Sequence, residues 1–277
     1  MVEKIIYEKA PVRYLGEPEK EYEHVAMILI SNPKKFNIIE GDMIDPLMTA
    51  FKDFNNDKKA RACVYSSVGE NQGAGASISE LLGNSEQIRE HYQHGAGLAQ
   101  TILALNKPVV AAMSGMTYGG SLEITAACDV RLCDKTLSWG LPEENVAGCP
   151  AGWGGLELLP RIIGLDRTSI VAHTSFTGQY FNAQQAKEWG FVHAVYEPKD
   201  LMKEALELAE KMACAAPLAV AASRETMIQS FYGNNIIEKI AENANKLSRA
   251  ADSEDTKMAC KMFAENDYKT KRKFEGK

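Results

Sequence analysis

No run of apolar residues in this chain approaches the roughly 20 needed to span a bilayer, so no membrane partner is expected. The first residues, MVEKIIYEK, lack the apolar core of a secretory signal. There is no basic excess. Lys and Arg number 31 against 37 Asp and Glu, a net charge of -6, and the pI is near 5.5. That balance argues against a nucleic-acid partner. The six cysteines, Cys63, Cys128, Cys133, Cys149, Cys214 and Cys260, form no C-x-x-C pair. Redox and zinc-ribbon chemistry are therefore not expected, and reduced, structural thiols of a cytoplasmic protein fit best. Internal repeats and low-complexity tracts are also missing. What remains is an ordinary globular composition, 45% hydrophobic and 25% charged over 277 residues, enough for one core domain plus an appendage.

Read in order, residues 24–31 form an apolar strand candidate, which Asn32-Pro33 breaks. Met43, Ile44, Leu47, Met48, Phe51 and Phe54 follow at helical spacing; Pro46 implies a late start or a kink. Strands are expected at 62–66, 109–113 and 191–195. Helices are expected at 85–105, 121–128, 156–163, 166–174 and 183–189. Ser77 and Glu80 have capping-box spacing, Asn182 suits an N-cap, and Gly164 suits a C-cap. Beyond Pro198 the pattern is helical, interrupted at 216–217 and 233–234. Alternating strands and helices followed by helices alone give an α/β core over 1–215 and a C-terminal helical region over 216–277.

The richest stretch is 109–155. An apolar run ends at Ser114, and Gly115, Gly119 and Gly120 mark a turn leading into a small-residue helix that carries Glu123. Glycines allow close approach of backbone to a ligand. A helix beginning at Gly120 aims unpaired N–H groups and the positive end of its dipole at that ligand, which suits an oxyanion. Taken alone, Glu123 reads as compensation of the helix dipole. Other patterns resolve less favourably. Gly115-Met-Thr-Tyr-Gly119 mimics a G-x-S-x-G nucleophile elbow, but Thr117 is a crowded substitute for serine. His91 and His94 read as exposed helix residues with no further metal ligand beside them. Gly73-Ala-Gly75 lacks the third glycine of a dinucleotide fingerprint. Trp139 and Trp153 read as core, with a side role as apolar walls that raise a carboxyl pKa. The basic tail, Lys269-Thr-Lys-Arg-Lys, reads equally as a solvated end or as a contact for a phosphate-bearing ligand.

Five ordered segments then carry a resemblance. Asn32-Pro-Lys-Lys-Phe-Asn37 is similar to R-P-x-x-x-N, and Gly73-Ala-Gly-Ala-Ser-Ile-Ser-Glu-Leu81 to A-A-G-A-D-I-x-E-L/M. Tyr118-Gly-Gly-Ser-Leu-Glu-Ile is similar to G-G-G-x-E-L. Gly140-Leu-Pro-Glu143 with Pro150-Ala-Gly-Trp-Gly-Gly matches G-x-P-E…P-G-x-G-G. Thr177-Gly with 183–192 matches T-G followed by A-x-x-A-x-x-x-G-L-V. Over nearly its whole length the chain resembles the crotonase superfamily, closest to enoyl-CoA hydratases. The resemblance implies a spiral of β-β-α turns with a C-terminal helical trimerisation region, assembling as a homotrimer or homohexamer. It implies an acyl-CoA substrate of fatty acid metabolism, with no cofactor beyond the coenzyme A of that substrate and no metal.

By the same resemblance, the backbone amides of Ala74 and Gly120 would form an oxyanion hole. Ala74, Gly75, Ala76 and Ser77 would line the thioester end, and Lys34 and Phe36 would lie near the CoA head group. Both glutamate positions of the hydratases are filled, by Glu123 and Glu143. Hydration needs a base for water at C3 and an acid for C2, roles that two carboxyls in different environments can divide. The expected reaction is thus addition of water across the 2,3 double bond. Isomerisation, C–C cleavage or thioester hydrolysis on the same scaffold, or acyl-CoA binding without catalysis, are the alternatives. Four departures from the family pattern stand out: Gln72, Ser77, Ser121 and Gln179-Tyr-Phe181. Together they imply an altered acyl pocket, expected to suit a bulky or cyclic acyl group.

Overall fold

The computed structural model describes residues 4–11, 24–232 and 236–265; the basic tail lies outside them. Six strands form the main sheet: β1 (Ile5–Pro11), β2 (His24–Ile30), β3 (Ala60–Ser67), β4 (Val109–Met113), β6 (Val130–Asp134) and β9 (Ala194–Tyr196). They lie side by side in that order, with β1 antiparallel to β2 and every later neighbour parallel. A parallel sheet needs cover on both faces, and the strand sequences supply it by alternation. Val109, Ala111 and Met113 of β4 face the large core, while Val110 and Ala112 face a smaller one. That smaller core is closed by Leu201, Ala205, Ala209 and Ala213 of α8 (Leu201–Ala213).

The large core is closed by α1 (Gly41–Asn56), α2 (Ser85–Leu103) and α3 (Gly119–Ala126). Helix α1 buries Met43, Ile44, Leu47, Ala50, Phe51 and Phe54, the stripe read from the sequence. It starts at Gly41, so Pro46 neither delays it nor lies on the packed side: Pro46 and Asp42, four residues before it, are both exposed. Water can therefore satisfy the Asp42 carbonyl that proline leaves open. Asn84 caps α2 by accepting from the Gln87 amide at 3.0 Å. The box expected at Ser77 does not form. Residues Ile78–Leu82 make a short 3-10 turn, and the Ser77 hydroxyl pairs with that of Ser79 at 2.7 Å.

A second column of short extended segments runs beside the main sheet. Ile39 bridges Ala76, and Gly73 bridges Thr117 of β5 (Met116–Tyr118). β5 pairs with β7 (Ser138–Gly140), and β7 with β8 (Phe181–Asn182). Each turn of chain thus gives one strand to the sheet, one segment to this column and then a helix, which is the expected spiral of β-β-α turns. Short helices α4 (Glu143–Val146) and α5 (Gly155–Ile163) follow, then α6 (Thr168–Thr177) and α7 (Ala183–Glu188), capped by Asn182 as expected. The last strand sits at 194–196 rather than 191–195. Phe191 instead joins a ring cluster with Trp139, Trp189 and Phe181, which places Trp139 in the core.

Three more helices return over the core: α9 (Pro217–Tyr232), α10 (Ile236–Ala251) and α11 (Glu254–Ala264). Helix α10 packs along α2, and α11 packs on the Ile78–Leu82 turn. Arg224 of α9 is buried, pairs with Asp129 at 2.9 Å, and donates to the carbonyls of Ile102, Leu103 and Leu105. The guanidinium so takes up carbonyls at and just beyond the α2 C-terminus, which have no partner within a helix. Among the described residues no helix is long and apolar enough to cross a membrane, and no group of acids, cysteines and histidines is placed to hold a metal ion.

Candidate active site

Helix α3 is buried along its whole length, which few helices with a glutamate tolerate. It begins at Gly119, earlier than expected, so Glu123 sits past the first turn. Dipole compensation is therefore not its role. Its side chain is only 2% exposed. Oε1 accepts from the amides of Trp153 and Gly155, both at 2.8 Å. These two amides lower the pKa, but burial outweighs them and pushes it up to about 7.

Glu143 opens α4 and turns its carboxyl inward. Oε2 is buried without a hydrogen-bond partner. Burial, and then the nearby carboxyls of Glu123 and Glu144, hold its pKa well above the usual range. Glu144 is likewise pushed up to about 7 by burial. Glu123 and Glu143 line one cavity of about 130 Å³, together with Ala74, Gly75, Ala76, Ser77, Gly119 and Gly120. Glu144 is not among its lining residues. The structure thus brings together the two acids, the glycine turn and the 74–77 loop.

Backbone geometry at the mouth of α3 is tight. Gly119 has φ +49°, and a Cβ there would lie 2.5 Å from Glu143 Oε1. A Cβ on Gly120 would meet the Trp153 ring at 2.9 Å and the Ala76 Cβ at 3.2 Å. The Gly120 amide is among the first of α3 and has no intrahelical partner.

One expectation is corrected. The Ala74 amide donates to the Phe36 carbonyl at 3.0 Å, so it is not free to bind an oxyanion. The neighbouring backbone shows where a free amide lies. Ile39 donates to Gly75 O and accepts from Ser77 N, each at 2.9 Å. In such a parallel bridge the residue between, Ala76, turns its own N–H to the opposite side, where Gly120 packs against it. Sequence spacing within G-A-G-A-S does not distinguish the two alanines. Strand alternation does, and Gly75, at φ +109°, resets that alternation.

Lys34 and Phe36 are exposed and do not line the cavity; they lie on the loop tied to it by the Phe36–Ala74 bond. Thr117 is fully buried and off the cavity, which removes the nucleophile-elbow reading. His91 is not exposed as expected: it is 8% accessible and lines the cavity, whereas His94 is exposed. The signal for its burial was helical spacing, with buried Ile88 three residues before it and buried Gly95 four after; Tyr92 also lines the cavity and donates its hydroxyl to the Pro150 carbonyl at 2.7 Å. Trp153 lines the cavity beside the two glutamates, the wall role its sequence reading allowed, whereas Trp139 does not and Phe263 was missed. Of the four departures from the family pattern, only Ser77 lines the cavity. Gln72 is buried against Tyr65, Ser121 against Gly73, and Tyr180 stacks on Tyr118 with ring centres 4.1 Å apart.

Comparison with known proteins gives the family and the fold. A sequence model of the family described as Enoyl-CoA hydratase/isomerase matches residues 20–277. The short-chain-enoyl-CoA hydratase of Clostridium acetobutylicum is 32% identical over 254 residues, 91% of this chain and 94% of its own. The (E)-benzylidenesuccinyl-CoA hydratase of Thauera aromatica is 30% identical over 206 residues, covering 74% of this chain and 79% of its own. The crystal structure of an enoyl-CoA hydratase/isomerase from Xanthobacter autotrophicus Py2 superposes with a TM-score of 0.83 at 19% identity, over 96% of this chain and 94% of that one. The fold is the crotonase fold. With a family match over almost its full length and a buried pair of glutamates beside a glycine turn, the chain belongs to the enoyl-CoA hydratase/isomerase family and is an enzyme of the crotonase superfamily.

Proposed function

We propose that this enzyme adds water across the 2,3 double bond of an enoyl-CoA thioester. The observation that carries the reading is the contrast between two carboxyls lining one cavity. Glu123 accepts two amide hydrogens that favour its charged form, while Glu143 has a buried oxygen with no partner and stays protonated. Carboxyls driven apart in this way divide base and acid roles. Glu123 takes a proton from water as its oxygen bonds to C3. The double-bond electrons move onto the thioester oxygen, held by the amides of Gly120 and Ala76. Glu143 then protonates C2 and restores the carbonyl. An oxyanion donor of this kind typically contributes about 2.7–4 kcal/mol to the barrier.

The cavity size bounds the acyl group. An apolar cavity of about 150 Å³ accepts benzene, so about 130 Å³ suits a short or branched chain or one small ring. Ala74 to Ser77 line the thioester, and Lys34 and Phe36 serve the CoA head group from the surface loop. No cofactor beyond the substrate's own coenzyme A is required, and assembly as a trimer or pair of trimers, in the cytoplasm, belongs to the same reading.

The test is product analysis by mass with a panel of linear, alicyclic and aromatic 2-enoyl-CoA esters. Gain of water with CoA retained supports hydration. Release of CoA, or an unchanged mass with a shifted double bond, rejects it in favour of hydrolysis or isomerisation. The pH dependence follows from the carboxyl environments. The base form of Glu123 is lost as pH falls, so kcat/KM rises with pH through about 7. It falls again at higher pH, where Glu143 gives up its proton. A profile flat from pH 5 to 9 contradicts this division of roles.

Gly119 offers a third check. Any Cβ there displaces the Glu143 carboxyl and forces a left-handed backbone on a side chain. Gly119→Ala is expected to lower kcat by at least about tenfold, since misplacing a reacting group by an ångström can lose a hundredfold. The far-ultraviolet circular dichroism spectrum should stay unchanged.

A further inference from the structure

The wall of the cavity holds an imidazole that hydration does not use. His91, on α2, is 8% exposed and lines the cavity. Its ring packs against Trp153, with centres 5.4 Å apart, and Tyr92, with centres 6.3 Å apart, and His91 also borders a polar cleft with Glu80, Gln87, Glu90 and His94. No hydrogen bond to either ring nitrogen is found among the described residues, and neither nitrogen is one of the fully buried unpartnered atoms, so both can be met by water or by a ligand. The Tyr92 hydroxyl beside it is already engaged with Pro150. The indole of Trp153 meets both the His91 ring and the Gly120 position, so the imidazole lies one indole away from the glycine turn.

We infer that His91 is a specificity residue that hydrogen-bonds an uncharged polar substituent, a hydroxyl or carbonyl, on the acyl chain beyond C3. The inference rests on the enoyl-CoA reading of the site. A neutral imidazole offers one N–H donor and one nitrogen acceptor, which a hydroxyl satisfies on either side and a carbonyl on one. Burial pushes the His91 pKa down to about 4, with His94 adding to the effect, so the ring is neutral at physiological pH. It therefore gives no charge to a carboxylate, and Glu123 and Glu143 already make the cavity hostile to a third acid. An unsubstituted chain would bury the imidazole nitrogens with nothing to meet them. Discrimination arises from that unpaired group as much as from the bond gained.

The experiment compares matched substrates: crotonyl-CoA with 4-hydroxycrotonyl-CoA, and 2-hexenoyl-CoA with its 5-oxo and 6-hydroxy derivatives. Each is assayed with the wild type, His91→Leu and His91→Asn. The wild type is expected to favour at least one polar ester over its unsubstituted partner by about tenfold in kcat/KM, the effect of one net hydrogen bond. His91→Leu should bring that ratio to about one, and His91→Asn should keep part of it. A wild-type ratio near one for every pair overturns the inference without any variant. So does a preference that survives in His91→Leu. Failure to hydrate any of these esters instead overturns the enoyl-CoA reading, so the two failures are separable.

Discussion

Glu123→Gln and Glu143→Gln are each expected to lower kcat/KM for hydration by about 10²–10⁴-fold, the range for loss of a positioned acid or base. Glutamine keeps the volume of the side chain. At position 123 it also keeps an oxygen to accept from the Trp153 and Gly155 amides, so the cavity should stay intact. The two variants should separate by pH. With Glu123→Gln the rise through about 7 disappears, because the group responsible no longer titrates. With Glu143→Gln the fall at high pH disappears instead. The double variant should lose far less than the product of the two effects, since residues acting as one unit do not add. Binding of a saturated acyl-CoA should be nearly unchanged in each. Turnover within a few-fold of wild type in both variants would remove the two glutamates from the chemistry.

The second large effect concerns stability. Arg224→Leu leaves the Asp129 carboxylate without its buried partner, and takes a charged donor from the carbonyls of Leu103, Leu105 and Ile102, the last of which keeps the Leu105 amide at 3.2 Å. Removing one member of a buried ion pair typically destabilises by about 3–5 kcal/mol. For a chain of this size each kcal/mol lowers the melting temperature by about 2–4 °C. A fall of roughly 6–20 °C is expected by differential scanning calorimetry. Arg224→Lys should recover little, because one ammonium cannot span the fork of acceptors. Asp129→Asn should lose less than Arg224→Leu, since its amide oxygen can still accept from the Val109 amide that Asp129 now holds at 2.8 Å. A shift under about 2 °C for Arg224→Leu would show that water or a neighbouring side chain replaces the guanidinium.

The sequence showed the large elements because each buries a regular stripe. Val109–Met113 is a strand over the span expected from its unbroken apolar run. The spacing of Met43, Ile44, Leu47, Phe51 and Phe54 marks the buried face of α1. The second column of strands was not legible. β5, β7 and β8 are two or three residues long, too short for a period to show, and β5 lies between glycines. Both acids were found through motif spacing, yet their opposite environments were not. Those depend on amides from 153 and 155 reaching back 30 residues to Glu123. His91 was misread for a similar reason. A histidine on a helix looks exposed until Trp153 packs against its ring and the C-terminal region, arriving more than 140 residues later, covers α2.

That covering has a consequence for how substrate preference can change. Helix α11 is fastened near the cavity by the Thr256 hydroxyl, which donates to the Gly148 carbonyl at 2.7 Å, and it adds Phe263 to the cavity wall. The two cavity glutamates belong to α3 and α4, while part of the wall an acyl chain would meet belongs to a segment more than 100 residues further along the polypeptide. On the reading proposed above, drift in that segment can widen or narrow the admissible substrates while the two glutamates are inherited intact, so one chemistry can be retooled for many thioesters by editing α11.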